Sequence, residues 1–199
     1  KLNDLRQGKS KVLESNHTII LGWSESLYII INELIEANKS LASGCIVVLG
    51  NKDNIDMQEE IRDKVSTDSI TEIIFRSGSM TSPEDLSRLN IGSAKSIIIN
   101  IDDDIEVVKT ILAIFKDKKV QERAIPIACK INDSSNLAVA QIAGQGLVKF
   151  IPVYSFLGRI DAQACLQPGI AEVLLDLLDF AGSEVYFHKE DTLVGRKYM

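Results

Sequence analysis

Short polar and glycine-containing segments follow the apolar runs in the first half of the chain. One of them carries Arg76, a side chain that can pair with a phosphate, and glycine backbone can approach a phosphate closely. We therefore predict a site for an anionic ligand formed by Gly22, Trp23, Ser24, Glu25, Asp53, Arg76, Ser77 and Gly78. The alternative for Arg76 is a surface ion pair with Glu25 or Asp53.

The glycine pattern departs from that of a dinucleotide site. Such a site uses Gly-x-Gly-x-x-Gly, with an acidic residue at the end of the second strand for the ribose. Here Gly22 is kept, but Ser24 and Leu27 take the second and third positions, and Gly50 stands where the acid is expected. We expect no intact NAD site, and a smaller nucleotide is left as an alternative.

A second polar group is formed by three consecutive aspartates, Asp102, Asp103 and Asp104. With Asn132 and Asp133, which follow the next apolar run, they would offer several hard oxygen ligands of the kind that Ca²⁺ prefers. The sequence has no EF-hand spacing, and helix capping alone accounts for the same residues, an interpretation that the pattern favours.

Catalytic chemistry finds no support in the sequence. There is no Tyr-x-x-x-Lys pair and no Gly-x-Ser-x-Gly segment, and His17 and His188 are remote from the predicted site. The net charge of −6 and the absence of a basic stripe argue against nucleic acid as a partner. The three cysteines fit reduced thiols and give no zinc-ligand spacing. We predict that the chain is not an enzyme.

Alternating strands and helices must position these residues. Apolar runs rich in β-branched residues predict strands at His17–Gly22, Cys45–Leu49, Glu72–Phe75, Ala94–Ile101, Ile125–Ile131 and Leu147–Ile151. Helical spacing predicts helices at Ser24–Ala37, Ile55–Val65, Ser82–Leu89, Ile105–Lys116 and Asn132–Gly144. Strands that are apolar on both faces and separated by helices indicate an α/β, Rossmann-type, doubly wound parallel sheet with strand order 3-2-1-4-5-6.

Two further apolar helices follow the sixth strand, Val153–Leu166 and Ile170–Phe180, separated by Gln167-Pro168-Gly169. A complete sheet offers no obvious place for both, so they either fold back on their own domain or contact a second subunit. The candidate interface residues are Val153, Phe156, Leu157, Ile160, Ala164, Val173, Leu174 and Leu177. A last strand is predicted at Glu184–His188.

Four segments carry a resemblance to a known family: His17–Ser24, Ile46–Leu49, Arg76–Ser79 and Gln167–Gly169. They resemble the cytosolic domain of CASTOR and POLLUX type ion channels and their bacterial or archaeal relatives, which belong with the regulator of K⁺ conductance (RCK) or TrkA-N-like domains. The resemblance implies a linker from a pore domain at 1–15, a Rossmann-like N-lobe at 16–151, crossover and dimerisation helices at 152–182, and the start of a C-terminal lobe at 183–199.

The same resemblance implies a function. Such domains lie on the cytosolic side of a membrane cation channel, assemble from identical subunits into a gating ring, and pull on a covalently linked transmembrane pore when a ligand binds. Some members of the group respond to Ca²⁺ or nucleotides. The resemblance does not identify which ligand this chain binds. The alternatives are a nucleotide-dependent oxidoreductase and a soluble nucleotide-binding regulatory subunit of a K⁺ transporter.

Overall fold

A computed structural model of the chain describes residues 10–62, 64–65, 70–181 and 190–195. Its strands are β1 (Thr18–Leu21), β2 (Gly44–Gly50), β3 (Thr71–Ser77), β4 (Ser96–Ile99), β5 (Ile127–Ile131) and β6 (Val148–Pro152). They pair in parallel in the order β3-β2-β1-β4-β5-β6. The predicted fold class and strand order are confirmed. The predicted strand at Glu184–His188 lies outside the described residues.

The described helices are α1 (Leu27–Asn38), α2 (Asn54–Arg62), α3 (Pro83–Ser87), α4 (Asp104–Ile114), α5 (Lys118–Glu122), α6 (Leu137–Gly144), α7 (Val153–Leu166) and α8 (Ile170–Leu178). Helices α1 and α2 pack on one face of the sheet, and α3 to α6 pack in the cluster on the other face. Short 3₁₀ turns lie at Ile91–Ser93, Ser134–Asn136 and Asp191–Leu193. Every one of these helices except α5 was predicted, most with ends shifted by a few residues.

Burial on both faces explains why the central strands read as continuous apolar runs. In β1, Ile20 faces α1 and α2 together with Ile46 and Val48. Its neighbours Ile19 and Leu21 face the larger cluster on the other side of the sheet. Side chains alternate between the faces of a strand, so a strand buried on both must be apolar at every position.

The unpredicted helix α5 has a physical explanation. It is a single turn of five residues, Lys-Lys-Val-Gln-Glu, in which only Val120 is buried. One apolar residue cannot produce the repeated spacing that indicates a helix in a sequence. Asp117 stabilises its start by accepting a hydrogen bond from the Lys119 amide.

The described end of the predicted linker, residues 10–15, packs on the domain. Val12 is 1% exposed and belongs to the larger core cluster. Its amide donates to the Arg88 carbonyl at 2.7 Å, and the Asn16 amide donates to the Ser93 carbonyl at 2.8 Å. Residues 10–15 therefore form a segment, here called the N-terminal strap, that packs on the domain before β1 begins.

Val12→Ala should lower the free energy of unfolding by about 2 kcal/mol, because it removes buried methyl groups and leaves a cavity. Leu13→Ala is the matched control, since Leu13 is 85% exposed. We expect it to change the free energy of unfolding by less than about 0.5 kcal/mol. Urea unfolding measures both. Equal changes in the free energy of unfolding for the two variants would contradict the burial of Val12 in the core.

His17 is wholly buried at the start of β1, and its Nε2 lies 2.9 Å from the Leu89 carbonyl oxygen. Its Nδ1 has no hydrogen-bond partner among the described residues. Burial lowers the pKa of His17 below its ordinary value of 6.5, outweighing the opposing effects of the Leu89 carbonyl and Glu14. The neutral ring is thus favoured in the folded state.

Because the pKa of His17 is lower in the folded than in the unfolded chain, the unfolded chain binds the proton more readily below pH 6.5. The stability contributed by the neutral ring should be complete well above pH 6.5 and be lost as the pH falls through 6.5 toward the lower pKa of the folded chain. His17→Gln keeps an amide donor for Leu89 without titrating, so its stability should be flatter over that range. Urea unfolding at several pH values checks this, and parallel curves for both proteins would refute it.

Candidate ligand-binding crevice

The crevice opens where β1 and β4 end side by side and their loops turn to opposite sides of the sheet. Gly22 has a φ of 110°. A Cβ atom there would lie 2.4 Å from the Asn100 carbonyl oxygen, so only glycine fits. Parallel sheets bind ligands at this kind of switch point.

Polar side chains on one side of the switch point are hydrogen-bonded to each other, while the buried Asn100 Nδ2 has no partner among the described residues. Ser24 and Ser26 both donate to Asn100 Oδ1, at 2.9 and 2.8 Å. Lys130 Nζ donates to Ser24 Oγ at 3.2 Å and lies 2.6 Å from Asp102 Oδ1. Asn100 and Lys130 were not predicted as site residues, although each stands at the carboxyl end of an apolar run, where such residues are expected.

An aromatic cluster fills the other side, between β1 and β2. Trp23 Nε1 and Tyr28 Oη both donate to Glu60 Oε2, at 3.2 and 3.1 Å. Lys52 Nζ contacts both Glu60 oxygens and lies 5.2 Å from the centre of the Trp23 ring. The hydrogen bond from Lys52 is the main cause that lowers the pKa of Glu60. We call Trp23, Tyr28, Lys52 and Glu60 the Trp23 cluster.

The remaining predicted ligand residues are divided between the crevice and other contacts. Ser77 and Gly78 line a cavity of about 370 Å³ with Asn51, Lys52, Ser79, Met80 and Glu106. Asp53 instead accepts from the Ile55 amide at the start of α2, and Glu25 is exposed in the loop before α1. The structure therefore brings Trp23, Ser77 and Gly78 close to Lys52 and uses Asp53 as a helix cap.

Arg76 binds backbone carbonyls rather than forming the ion pair with Glu25 or Asp53 that the sequence left as an alternative. Its Nε donates to the Ser10 carbonyl at 2.8 Å and its Nη1 to the Phe75 carbonyl at 2.8 Å. The side chain is half-buried, and this burial lowers its pKa. Arg76 holds the N-terminal strap, a role that a pattern of local residues could not reveal because Ser10 is 66 positions away.

The three consecutive aspartates predicted as Ca²⁺ ligands, Asp102, Asp103 and Asp104, have three different sets of partners. Asp102 pairs with Lys130, and Asp103 caps α4 by accepting from the Ile105 and Glu106 amides. Within the described ranges no three His, Cys, Asp or Glu side chains are grouped to hold a metal ion. The capping alternative applies to Asp103.

Asp104 joins α4 to the loop after β5. It is buried and accepts from the Asn132 and Asp133 amides at 2.9 and 2.8 Å and from Asn136 Nδ2 at 3.1 Å. Burial by itself would raise the pKa of Asp104, but these three hydrogen bonds together lower it. The carboxylate thus fixes the edge of the crevice beside Lys130.

Helices α7 and α8 leave their apolar stripes open. Neither helix contains a buried residue. Phe156, Leu157, Val173 and Leu177 are all more than 40% exposed, and Val153, Ile160, Ala164 and Leu174 are half-exposed. Among the described helices, none is long and apolar enough to span a membrane.

Two family models match this chain, one over most of the sheet domain and one over its C-terminal part. A family model described as the calcium-activated potassium channel slowpoke-like RCK domain matches residues 13–133, more than half of the chain. The chain belongs to this RCK domain family. A second model, described as Castor and Pollux, part of voltage-gated ion channel, matches residues 155–199. The resemblance predicted from the sequence is confirmed.

Individual relatives agree with this assignment. Ion channel CASTOR of Lotus japonicus is 33% identical over 98% of this chain. Probable ion channel POLLUX of Arabidopsis thaliana is likewise 33% identical over 98% of this chain. The chain spans 23% of the CASTOR relative and 24% of the POLLUX relative, about a quarter of their length.

Solved structures share the fold. The GsuK channel bound to NAD superposes with a TM-score of 0.55 at 17% identity, covering 75% of this chain and 24% of that one. The human SLO3 gating ring superposes with a TM-score of 0.51 at 22% identity, covering 92% of this chain and 31% of that one. At these identities the likeness establishes the fold alone.

Asp104→Ala should lower the free energy of unfolding by about 2 kcal/mol or more, because it leaves buried amides of the β5 loop without an acceptor. Asp102→Ala removes the same charge from a 71% exposed side chain and should cost about 1 kcal/mol or less. Thermal and urea unfolding of both variants measure the difference. A larger effect at Asp102 would contradict the assigned roles.

Proposed function

We propose that this chain is the cytosolic, ligand-sensing part of a membrane cation channel and that it couples ligand binding to pore opening. Membership of the RCK domain family and one-third identity to CASTOR and POLLUX support this proposal. Its proposed partners are identical subunits and a covalently linked transmembrane pore domain. The proposed division is a linker at 1–15 whose described end packs on the N-lobe, an N-lobe at 16–151, dimerisation helices at 152–182 and a C-terminal lobe from 183.

The exposed apolar stripes of α7 and α8 carry the proposal. Large apolar patches on a soluble domain usually mark an interface. A second copy of the chain would offer the same stripes, and a two-fold arrangement would bury both sets at once. The helices would then serve as the dimerisation element, which accounts for their position beyond a completed sheet.

A second apolar set favours assembly beyond a dimer. On α4, Ile105 and Leu112 are exposed, and on the neighbouring α6, Val139 and Ile142 are exposed. A subunit with two different apolar faces can contact two neighbours, as a closed ring requires. This set therefore supports a gating ring assembled from dimers.

The N-terminal strap offers a route from the crevice toward a pore. Arg76 stands at the end of β3, next to Ser77 and Gly78 of the crevice, and its guanidinium binds Ser10 of the strap. A ligand that favours one arrangement of these loops would displace the strap with them. A differential affinity worth about 1 to 3 kcal/mol would give typical coupling.

No chemical step is part of this proposal. The polar groups of the crevice, Ser24, Asn100, Lys130 and Asp104, are engaged in hydrogen bonds with each other and with neighbouring backbone. Such groups are suited to change partners when a ligand binds. Coupling requires only that the ligand binds one arrangement more tightly than the other.

The wild-type chain should form dimers or larger assemblies whose mass rises with concentration, and Leu157→Glu with Val173→Glu should reduce that mass toward the monomer. Charged side chains in an apolar interface would lose their hydration without a partner. Ile29→Glu is the matched control, since Ile29 is an exposed apolar residue of α1 outside both sets. Sedimentation velocity measures the mass. A monomeric wild type over the whole range would overturn the proposed interface.

The coupling itself is testable in the longer protein. The full reading frame should encode membrane-spanning helices before residue 1, and the purified protein in liposomes should carry a cation flux. Leu157→Glu with Val173→Glu should lower that flux relative to Ile29→Glu. An equal flux in the assembly variant and in the control would contradict the proposed coupling between this domain and the pore.

A further inference from the structure

The Trp23 cluster occupies the part of the crevice where a dinucleotide would place its adenosine. In a dinucleotide site, the acid at the end of the second strand binds the adenosine ribose. Here that position is Gly50, and a Cβ atom on it would lie 2.7 Å from Met57 Sδ and 3.3 Å from Trp23 Cε3. Met57 Sδ and the edge of the indole thus occupy the space into which an acidic side chain at this position would extend.

Several contacts fix the indole in this place. Trp23 packs edge-on against Tyr28, with ring centres 6.4 Å apart, and tilted against Phe75 at 6.3 Å. Its Nε1 donates to Glu60, which Lys52 and Tyr28 also bind. Moving the ring out would break the hydrogen bond and the aromatic contacts and would leave Glu60 with fewer donors.

We propose that Trp23 is the residue that determines the ligand specificity of this crevice by excluding the adenosine moiety. The wild-type chain would then bind neither ADP nor NADH. This inference rests on the proposed function only in treating the crevice as a ligand site. It distinguishes the chain from the structurally similar GsuK channel, whose structure contains NAD.

The charges of the cluster support exclusion rather than a stacking platform. Glu60 lies beside the indole, and its lowered pKa keeps it ionised at neutral pH. Lys52, which could attract the diphosphate of an incoming nucleotide, is already paired with Glu60, so the pair adds no net positive charge to the crevice. The cluster is therefore complete without a ligand.

The chain provides its own reporter, because Trp23 is its only tryptophan. Calorimetry should detect no saturable binding of ADP or NADH to the wild type up to about 1 mM, a limit equivalent to about −4 kcal/mol. Addition of ADP should leave the wavelength of Trp23 emission unchanged. Saturable binding of either nucleotide to the wild type would overturn the proposal.

Trp23→Ala should bind ADP at least tenfold more tightly than the wild type, and inorganic pyrophosphate should show no such gain because it lacks adenosine. Absence of the ADP gain, or an equal gain for pyrophosphate, would also overturn the proposal. A thermal unfolding curve verifies that this variant is folded.

Glu60→Ala tests the same idea while keeping the indole, in case the alanine variant does not fold. Loss of its acceptor should shift Trp23 emission to longer wavelength and permit detectable ADP binding. Glu59→Ala is the matched control, since Glu59 carries the same charge on the exposed side of α2. Identical ADP binding by the two glutamate variants would contradict the proposal that the Trp23 cluster excludes adenosine. None of these results alters the sedimentation test, so failure of this inference and failure of the proposed assembly are distinguishable.

Discussion

The close approach of β1 and β4 at Gly22 is the constraint on which the crevice depends. The carbonyl oxygen of Asn100 fills the space where any other residue would carry a Cβ atom. This contact aligns the ends of the two strands, and it puts Asn100 within reach of the serines of the β1 loop. The ends of the neighbouring strands β2 and β5, which pair with β1 and β4, then place Lys52 and Lys130 on the two sides of this point.

Much of the fold was readable from the sequence because its strands are buried on both faces. Ile19, Ile20 and Leu21 are consecutive apolar residues, so neither face of β1 can be exposed to solvent. Because helices separate such runs, the strands must pair in parallel. Helix α7 was predicted with the ends it has in the structure, since its apolar stripe is long and Gln167-Pro168-Gly169 follows it. Helix α5 was missed because a single buried valine gives no spacing to recognise.

The site was less predictable, and the reasons lie in contacts distant in sequence. A local pattern shows that three aspartates precede a helix, but it cannot distinguish a cap from a metal ligand. Asp104 receives its partners from the β5 loop, 28 to 32 positions away. Arg76 likewise reaches Ser10, and Trp23 reaches Glu60 across 37 positions. Only the folded arrangement of the loops shows which polar groups are already satisfied.

The strap has a mechanical consequence. Tension applied to the N-terminal end of the chain would not act first on the pairing of β1 with its neighbouring strands. It would first load the Arg76 contact with Ser10, the backbone bond from Val12 to Arg88 and the burial of the valine side chain, which resist together. A force on that end would therefore reach β1 only after these contacts of the strap had been broken.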